Sequence, residues 1–155
     1  MTDGITIVGL AELSATTVRA RLLDAHDRFW DTDTRELHDP VWFHQFGGFG
    51  AVARSSTGED VGYVLGAVTA DRLGHLHLLG VRDDHRTSRL AERLCRWFDA
   101  LAAGTGARVV QTVARPDDAA ALAFHTGMGA STHLSRDHAG PGADRVVLTR
   151  SLSPG

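Results

Sequence analysis

The sequence predicts an α+β fold in which a mixed sheet carries helices packed against it. Three observations lead there. Extended and helical patterns follow one another in the order β α α β β β α β α β β. Leu90, Leu94, Trp97, Phe98 and Leu101 fall at offsets 0, 4, 7, 8 and 11, the apolar stripe of an amphipathic helix about four turns long. The 155 residues, 43% hydrophobic and 23% charged, have the balance of a globular chain and suffice for one core. No linker or internal repeat divides them, so a single domain over residues 1–155 is expected.

Ile5 to Leu10 reads as the first strand. Ser14 can cap a helix running to about Arg28, with Val18, Leu22 and the Ala25/His26 region on one face. Phe29 to Pro40 is polar and rich in turn residues, until Asp39-Pro40 starts a second helix with Asp as N-cap and Pro at the first helical position. That helix carries Val41, Trp42, Phe43 and Phe46, and Gly47-Gly48 ends it. Phe49 to Arg54 and Val61 to Thr69 form a hairpin around Ser55-Ser56-Thr57-Gly58. Leu76 to Val81 is a further strand after the Leu73-Gly74 turn, and the long helix from Leu90 stops at Gly104 and Gly106. Arg108 to Ala114 is a short apolar strand. Asp117/Asp118 opens a helix through roughly Thr126, ended by Gly127 and Gly129. Ser131 to Arg136 and Arg145 to Ser151 close the chain as two strands around Gly140-Pro141-Gly142.

Charge and cysteine content narrow the function. A net charge of −3 does not supply the strongly basic face that nucleic acid demands, so no nucleic-acid partner is expected. All 16 basic residues are arginine. No apolar run approaches the roughly 20 residues that span a bilayer, and the N-terminus lacks a basic-then-apolar pattern. A cytoplasmic protein without membrane contact is the expectation. The single cysteine, Cys95, excludes an internal disulfide and a multi-cysteine zinc site, and its apolar helical setting reads as a packed core thiol.

At Val81-Arg82-Asp83-Asp84-His85-Arg86-Thr87-Ser88-Arg89-Leu90-Ala91 a strand ends, a polar turn follows and the long helix begins. The first amides of a helix have no internal partner, and the helix dipole adds partial positive charge. Such a turn can hold a pyrophosphate on backbone N–H groups, helped by Arg86, Arg89 and the hydroxyls of Thr87 and Ser88. The same residues also read as an ordinary helix N-terminus capped by Ser88.

Val81 to Leu94 resembles the acetyl-CoA-binding motif of the GNAT acetyltransferases, in which a strand ending in Val leads to Arg/Gln-x-x-Gly-x-Gly/Ala and a helix carrying Leu. Arg86 matches the leading Arg, Ala91 the final small residue and Leu94 the helical Leu. Downstream, Asp118-x-x-Ala121-x-x-Phe124-His125-x-x-x-Gly129 is similar to that family's Asn-x-x-Ala-x-x-Phe-Tyr-x-x-x-Gly-Phe segment. Three positions depart from the pattern. Arg89 replaces the central Gly of the phosphate loop, Asp118 stands at the Asn-like position, and His125 stands where many members have a Tyr that protonates the departing thiolate. The resemblance implies a mixed, mostly antiparallel central sheet flanked by about four helices, with acetyl-CoA as co-substrate. It implies that the backbone of Leu79, Gly80 and Val81 pairs with the pantetheine arm and polarises the thioester carbonyl. Arg86, Thr87, Ser88, Arg89, Leu90, Ala91 and Asp118 complete the implied CoA-binding set. Members are frequently dimers, so a homodimer is compatible with it.

Amine acetylation by a thioester needs a base for the ammonium proton, polarisation of the carbonyl and an exit for CoA as thiol. His75-Leu76-His77 lies just upstream of Leu79-Gly80-Val81, and strand alternation places His75, His77, Leu79 and Val81 on one face. Histidines near pH 6.5 accept an amine proton directly or through water. Two strand histidines hydrogen-bonded in a polar groove are the competing reading, and a His-x-His metal site is disfavoured without a matching carboxylate–His cluster. His75-Leu76-His77-x-x-x-Val81 resembles the corresponding strand of serotonin (arylalkylamine) N-acetyltransferases, which implies the base role for His75 and His77. His125, four residues before Gly129, would donate a proton to the sulfur.

The resemblance frames the acceptor cleft by the first two helices and the last hairpin. There Trp30, Asp31, Trp42 and Phe43 would form aromatic and acidic walls for a cationic amine with an apolar portion. The expectation is therefore transfer of acetyl from acetyl-CoA to a primary amine of a small molecule. Acetylation of a protein or peptide N-terminus, and a degenerate acyl-CoA-binding domain without turnover, are the alternatives.

Overall fold

The computed structural model describes residues 4–152. Its strands are β1 (Thr6–Gly9), β2 (Ala51–Arg54), β3 (Asp60–Val68), β4 (Leu73–Val81), β5 (Val109–Ala114), β6 (Ser131–Ser135) and β7 (Arg145–Ser151). The α-helices are α1 (Ala15–Asp24), α2 (His26–Phe29), α3 (Pro40–Phe43), α4 (Leu90–Gly104) and α5 (Ala119–Gly127). The strands form one sheet in the order β1-β2-β3-β4-β5-β7-β6, mostly antiparallel. The parallel pair is β4–β5, joined through α4 as parallel strands require.

Local capping chemistry sets the helix starts as the sequence indicates. Ser14 accepts a hydrogen bond from the Thr17 amide at 3.3 Å, and Asp39 accepts one from the Val41 amide at 2.9 Å with Pro40 opening α3. Several expected boundaries move, among them the end of α3, at Phe43 before Phe46, and the start of β2, at Ala51 and not Phe49. The helix from Ser14 does not run unbroken to Arg28: it ends at Asp24 and restarts at His26, which makes five α-helices among the described residues instead of about four. The break coincides with the buried His26 ring turning toward Thr34. β4 also starts earlier than Leu76, because Leu73, Gly74 and His75 pair with Val109, Val110 and Gln111.

The chain divides into two compact units, Met1–Ala67 with Leu76–Leu101, and Val68–His75 with Ala102–Gly155. In the first, Leu10, Val18, Leu22, Phe29, Phe43, Val52, Tyr63, Leu65 and Leu78 form a buried core. Each such aliphatic or aromatic side chain contributes about 1.5–3 kcal/mol on full burial. Leu90 and Leu94 of α4 close on the other side of β3, where a Cβ on Gly62 would lie 2.9 Å from Leu94 and 3.0 Å from Leu90. Cys95 is buried, as its apolar neighbours indicate. In the second unit, β5 pairs antiparallel with β7, and β7 with β6. Val110, Thr112, Ala114 and Leu148 are buried, whereas Val109, Gln111 and Val113 on the opposite face of β5 are half-buried. No helix among the described residues is long and apolar enough to cross a membrane.

Candidate functional site

The β4 ladder with β5 stops at His75–Gln111, so Leu79, Gly80 and Val81 lie beyond its last pair. On the β3 side the strand end is fixed, with the Arg82 amide donating to the Val61 carbonyl at 2.9 Å. A 3-10 turn follows at Asp83–His85. The Arg82 guanidinium clamps it by donating to both Asp84 carboxylate oxygens, at 2.7 and 3.0 Å, and to Glu59 at 3.2 Å. These bonds from Arg82, then the one from His85, hold the Asp84 carboxyl well below the usual carboxylate range. Arg28 braces the same turn through Asp83 at 2.9 Å.

The expected phosphate loop sits at this turn, and its Arg86, Ser88 and Arg89 side chains are already engaged. Arg86 donates to the carbonyls of Val81 at 3.3 Å and Phe29 at 3.0 Å. The Ser88 hydroxyl donates to the His85 carbonyl at 2.6 Å. Thr87 is exposed, and the Leu90 side chain is buried in the core, so only its backbone faces the turn. Arg89 has φ 60°, the left-handed conformation that a glycine adopts without strain. Its guanidinium is exposed and paired with Glu92 at 2.7 Å, one turn along α4. The departure from glycine thus keeps a glycine-like backbone and carries its side chain along the helix. The amides of the first turn of α4 lack intrahelical acceptors, and they are the groups that suit a pyrophosphate.

His77 is held on two sides. Its ring stacks on Trp42 with centroids 3.8 Å apart and planes 9° from parallel, and its Nε2 lies 2.7 Å from the Leu37 carbonyl. A carbonyl only accepts, so Nε2 carries the proton and Nδ1 is the basic nitrogen of the neutral ring. Leu78, the next residue, joins the same core as Phe43. Two consecutive side chains addressing the α1–α3 layer break the expected single face through His75, His77, Leu79 and Val81. His75 belongs to the other compact unit, where burial pushes its imidazole below the ordinary histidine value.

Under the strand end lies a polar network that the sequence does not announce. The Trp30 indole N–H donates to the Tyr63 hydroxyl at 2.6 Å, and that hydroxyl lies 2.6 Å from Nε2 of His38. Nδ1 of His38 donates to the Thr34 carbonyl at 2.8 Å, so the Tyr63 proton points at Nε2. The Thr34 amide in turn donates to Nε2 of His26 at 3.1 Å, and His26 Nδ1 donates to Asp27 at 2.8 Å. Burial lowers the His38 pKa and raises that of Tyr63, keeping both neutral. This assembly abuts the strand: a Cβ on Gly80 would lie 2.9 Å from the Trp30 ring and 3.1 Å from Tyr63. Glycine at position 80 is what lets the indole reach the backbone.

The acceptor-wall residues separate. Trp30 is tied down by Tyr63, Trp42 is covered by His77, and Asp31 is exposed. Phe43 is not a wall but a core residue, 2% exposed among Leu10, Leu22 and Phe29. In the second unit Asp118 caps α5, accepting from the Ala121 amide at 3.1 Å, which accounts for its carboxylate without a cofactor. His125 is buried in the last turn of α5, edge-on to Phe124 with ring centroids 5.0 Å apart. Among the described residues no group of three or more His, Cys, Asp or Glu is placed to hold a metal ion.

Known proteins share this fold. Residues 16–130 match the acetyltransferase (GNAT) family, and the chain belongs to that family. No curated protein sequence matches the chain. Among solved structures it is similar to Ard1 from Thermoplasma volcanium, with TM-score 0.75, 16% identity, and 97% of this chain and 99% of that one covered. It is also similar to the ribosomal-protein-S18-alanine N-acetyltransferase from Escherichia coli, with TM-score 0.71, 16% identity and coverage of 97% and 96%. YncA from Salmonella typhimurium, solved with acetyl-CoA, aligns with TM-score 0.69, 15% identity and coverage of 98% and 96%. The protein is an acyltransferase that uses acetyl-CoA.

Proposed function

We propose that this protein transfers the acetyl group of acetyl-CoA to a primary amine of a small molecule by direct attack, with His77 and His75 serving as base. The observation that carries the proposal is the His77 ring, stacked on Trp42 and holding its Nε2 proton on the Leu37 carbonyl. This tautomer presents Nδ1 as proton acceptor. The amine nitrogen attacks the thioester carbonyl carbon, the C–N bond forms and the C–S bond breaks. Before attack the ammonium gives one proton to a histidine, directly or through water. The nitrogen loses its second proton as the C–S bond breaks, and the CoA sulfur takes one from protonated His125, which that second proton restores. The amides of Leu79–Val81 would polarise the thioester carbonyl, and those at the start of α4 would hold the pyrophosphate. The Trp30–Tyr63 contact with Gly80 keeps that backbone in place.

A second reading, transfer to a peptide N-terminus, is favoured by the likeness to the S18-alanine acetyltransferase. Thiol release from acetyl-CoA with a panel of small primary amines and short peptides separates the two. Release with small amines, reduced about 10²-fold in kcat/KM by His77→Ala, is expected. Release with peptides alone would replace the small-molecule reading, and no release with any acceptor would overturn both.

A further inference from the structure

The unit formed by Val68–His75 and Ala102–Gly155 carries an open cleft of about 640 Å³ lined by Asp71, Arg72, Leu73, Arg108, Val109 and Gln111. Register explains its floor. Leu73 stands opposite Val109 and His75 opposite Gln111, while Gln111 stands opposite Thr149. Residues paired in this way share one face of the sheet, and on β5 this is the half-buried face. The floor is apolar at Leu73 and Val109 and polar at Gln111, which spends one N–H on the Thr149 hydroxyl at 3.2 Å. His75, proposed above as a base, is the next β4 residue on that face.

The rim is cationic. The Arg108 amide donates to the Arg72 carbonyl at 3.1 Å, so two guanidinium groups spring from hydrogen-bonded neighbours. Neither has an acid partner among the described residues, a condition shared with Arg19, Arg86, Arg136 and Arg145 and not with Arg21, Arg28, Arg35, Arg54, Arg82, Arg89, Arg96 and Arg115. The carboxylate of Asp71 accepts the Thr69 hydroxyl. Arg72 has φ 67°, in a turn closed by its own amide on the Thr69 carbonyl at 3.1 Å. Glycine makes this turn with less strain, so the sequence places a charged side chain where backbone geometry alone disfavours one.

We propose that Arg72 and Arg108 bind an anionic group of the acceptor, a carboxylate or a phosphate, whose amine is presented at His75. This assignment rests on the amine-acetylation reading. Arg72 and His75 are three residues apart, about 10 Å of extended chain. An amine and an anion a few bonds apart span that interval once the flexible arginines reach inward, and paired guanidiniums suit the oxygens of either anion.

Two arms test the proposal. In the first, without acetyl-CoA, the arginine Nε–H signals of ¹⁵N-labelled protein are followed during titration with 5-aminopentanoate, O-phosphoethanolamine or pentylamine. Arg72 and Arg108 are expected to shift together, saturably, with at least one anionic compound and not with pentylamine, while Arg115 stays still. The compound that saturates identifies the anion; absence of a saturable shift with both overturns the site. The second arm compares acetyl transfer to the same acceptors. The better anionic acceptor is expected to exceed pentylamine at least tenfold in kcat/KM. Arg72→Gly, which suits φ 67°, combined with Arg108→Gln should abolish that preference through KM and leave the pentylamine rate unchanged. A preference that survives in this variant overturns the proposal. Saturable anion binding without transfer to any amine would keep the anion site and overturn the amine-acetylation reading instead.

Discussion

The Tyr63 hydroxyl takes the Trp30 N–H and gives its own proton to His38, both at 2.6 Å, inside a core from which water is excluded. Tyr63→Phe changes one atom and strands two partners. An unsatisfied buried polar group costs about 1–3 kcal/mol, so the variant should lose about 2–3 kcal/mol in urea unfolding. Because Trp30 abuts Gly80, the same variant should raise KM for acetyl-CoA more than it lowers kcat. A stability loss with unchanged KM would make the network structural alone. His125→Phe tests the other residue assigned to proton transfer. Its turnover should fall more than its affinity for either substrate, and an unchanged kcat would remove His125 from the mechanism.

Elements were legible wherever the determining contacts are local. Ser14, Asp39 and Asp118 each cap a helix within two or three residues, and α4 follows from one apolar stripe. The Tyr63 network was not legible, because it joins residues 25 and 33 apart through a segment with no periodicity. The single-face expectation for β4 failed for a related reason: alternation cannot reveal that His77 and Leu78 both meet the α1–α3 layer. Phe43 shows the limit from the other side, since helical spacing does not distinguish a core aromatic from a pocket wall. At the turn before α4 the resemblance located the loop, but the structure supplies the conformation of Arg89. Arg89→Gly should relieve about 1 kcal/mol of left-handed strain, partly offset by glycine's greater unfolded-state freedom. If amides alone hold the pyrophosphate, KM for acetyl-CoA stays within threefold of the parent; a tenfold rise would make the guanidinium itself a phosphate ligand.

At the scale of the whole molecule, acid should act in two stages, because its titratable groups are shifted in two windows. His38 in one unit and His75 in the other are both pushed below the ordinary value of 6.5 by burial. Unfolded, each takes up a proton near pH 6.5; folded, each resists until the pH is lower. Their stabilisation is therefore complete above pH 6.5 and is lost as pH falls toward and through the folded pKa. The slope is at most about 1.4 kcal/mol per pH unit for each proton involved. The second window belongs to Asp27, Asp33, Asp83, Asp84 and Glu92, all lowered by hydrogen bonds, chiefly from side-chain partners or, for Asp33, the Arg35 amide. Their contribution is present above the ordinary carboxylate range and is lost as pH falls through the lowered folded values, below pH 4. Thermal unfolding scanned from pH 8 to 3 should give a midpoint that is level above pH 7, declines from pH 6.5, and drops again below pH 4. His38→Gln with His75→Gln should start from a lower midpoint and lack the first decline while keeping the second. Activity has a matching sign: a base must be neutral, so burial of His75 extends the active range to the acid side. If His75 is the base, the acidic limb of kcat/KM lies below pH 6.5 and His75→Ala removes it; a limb that persists in both His75→Ala and His77→Ala, and in the double variant, assigns the proton to neither.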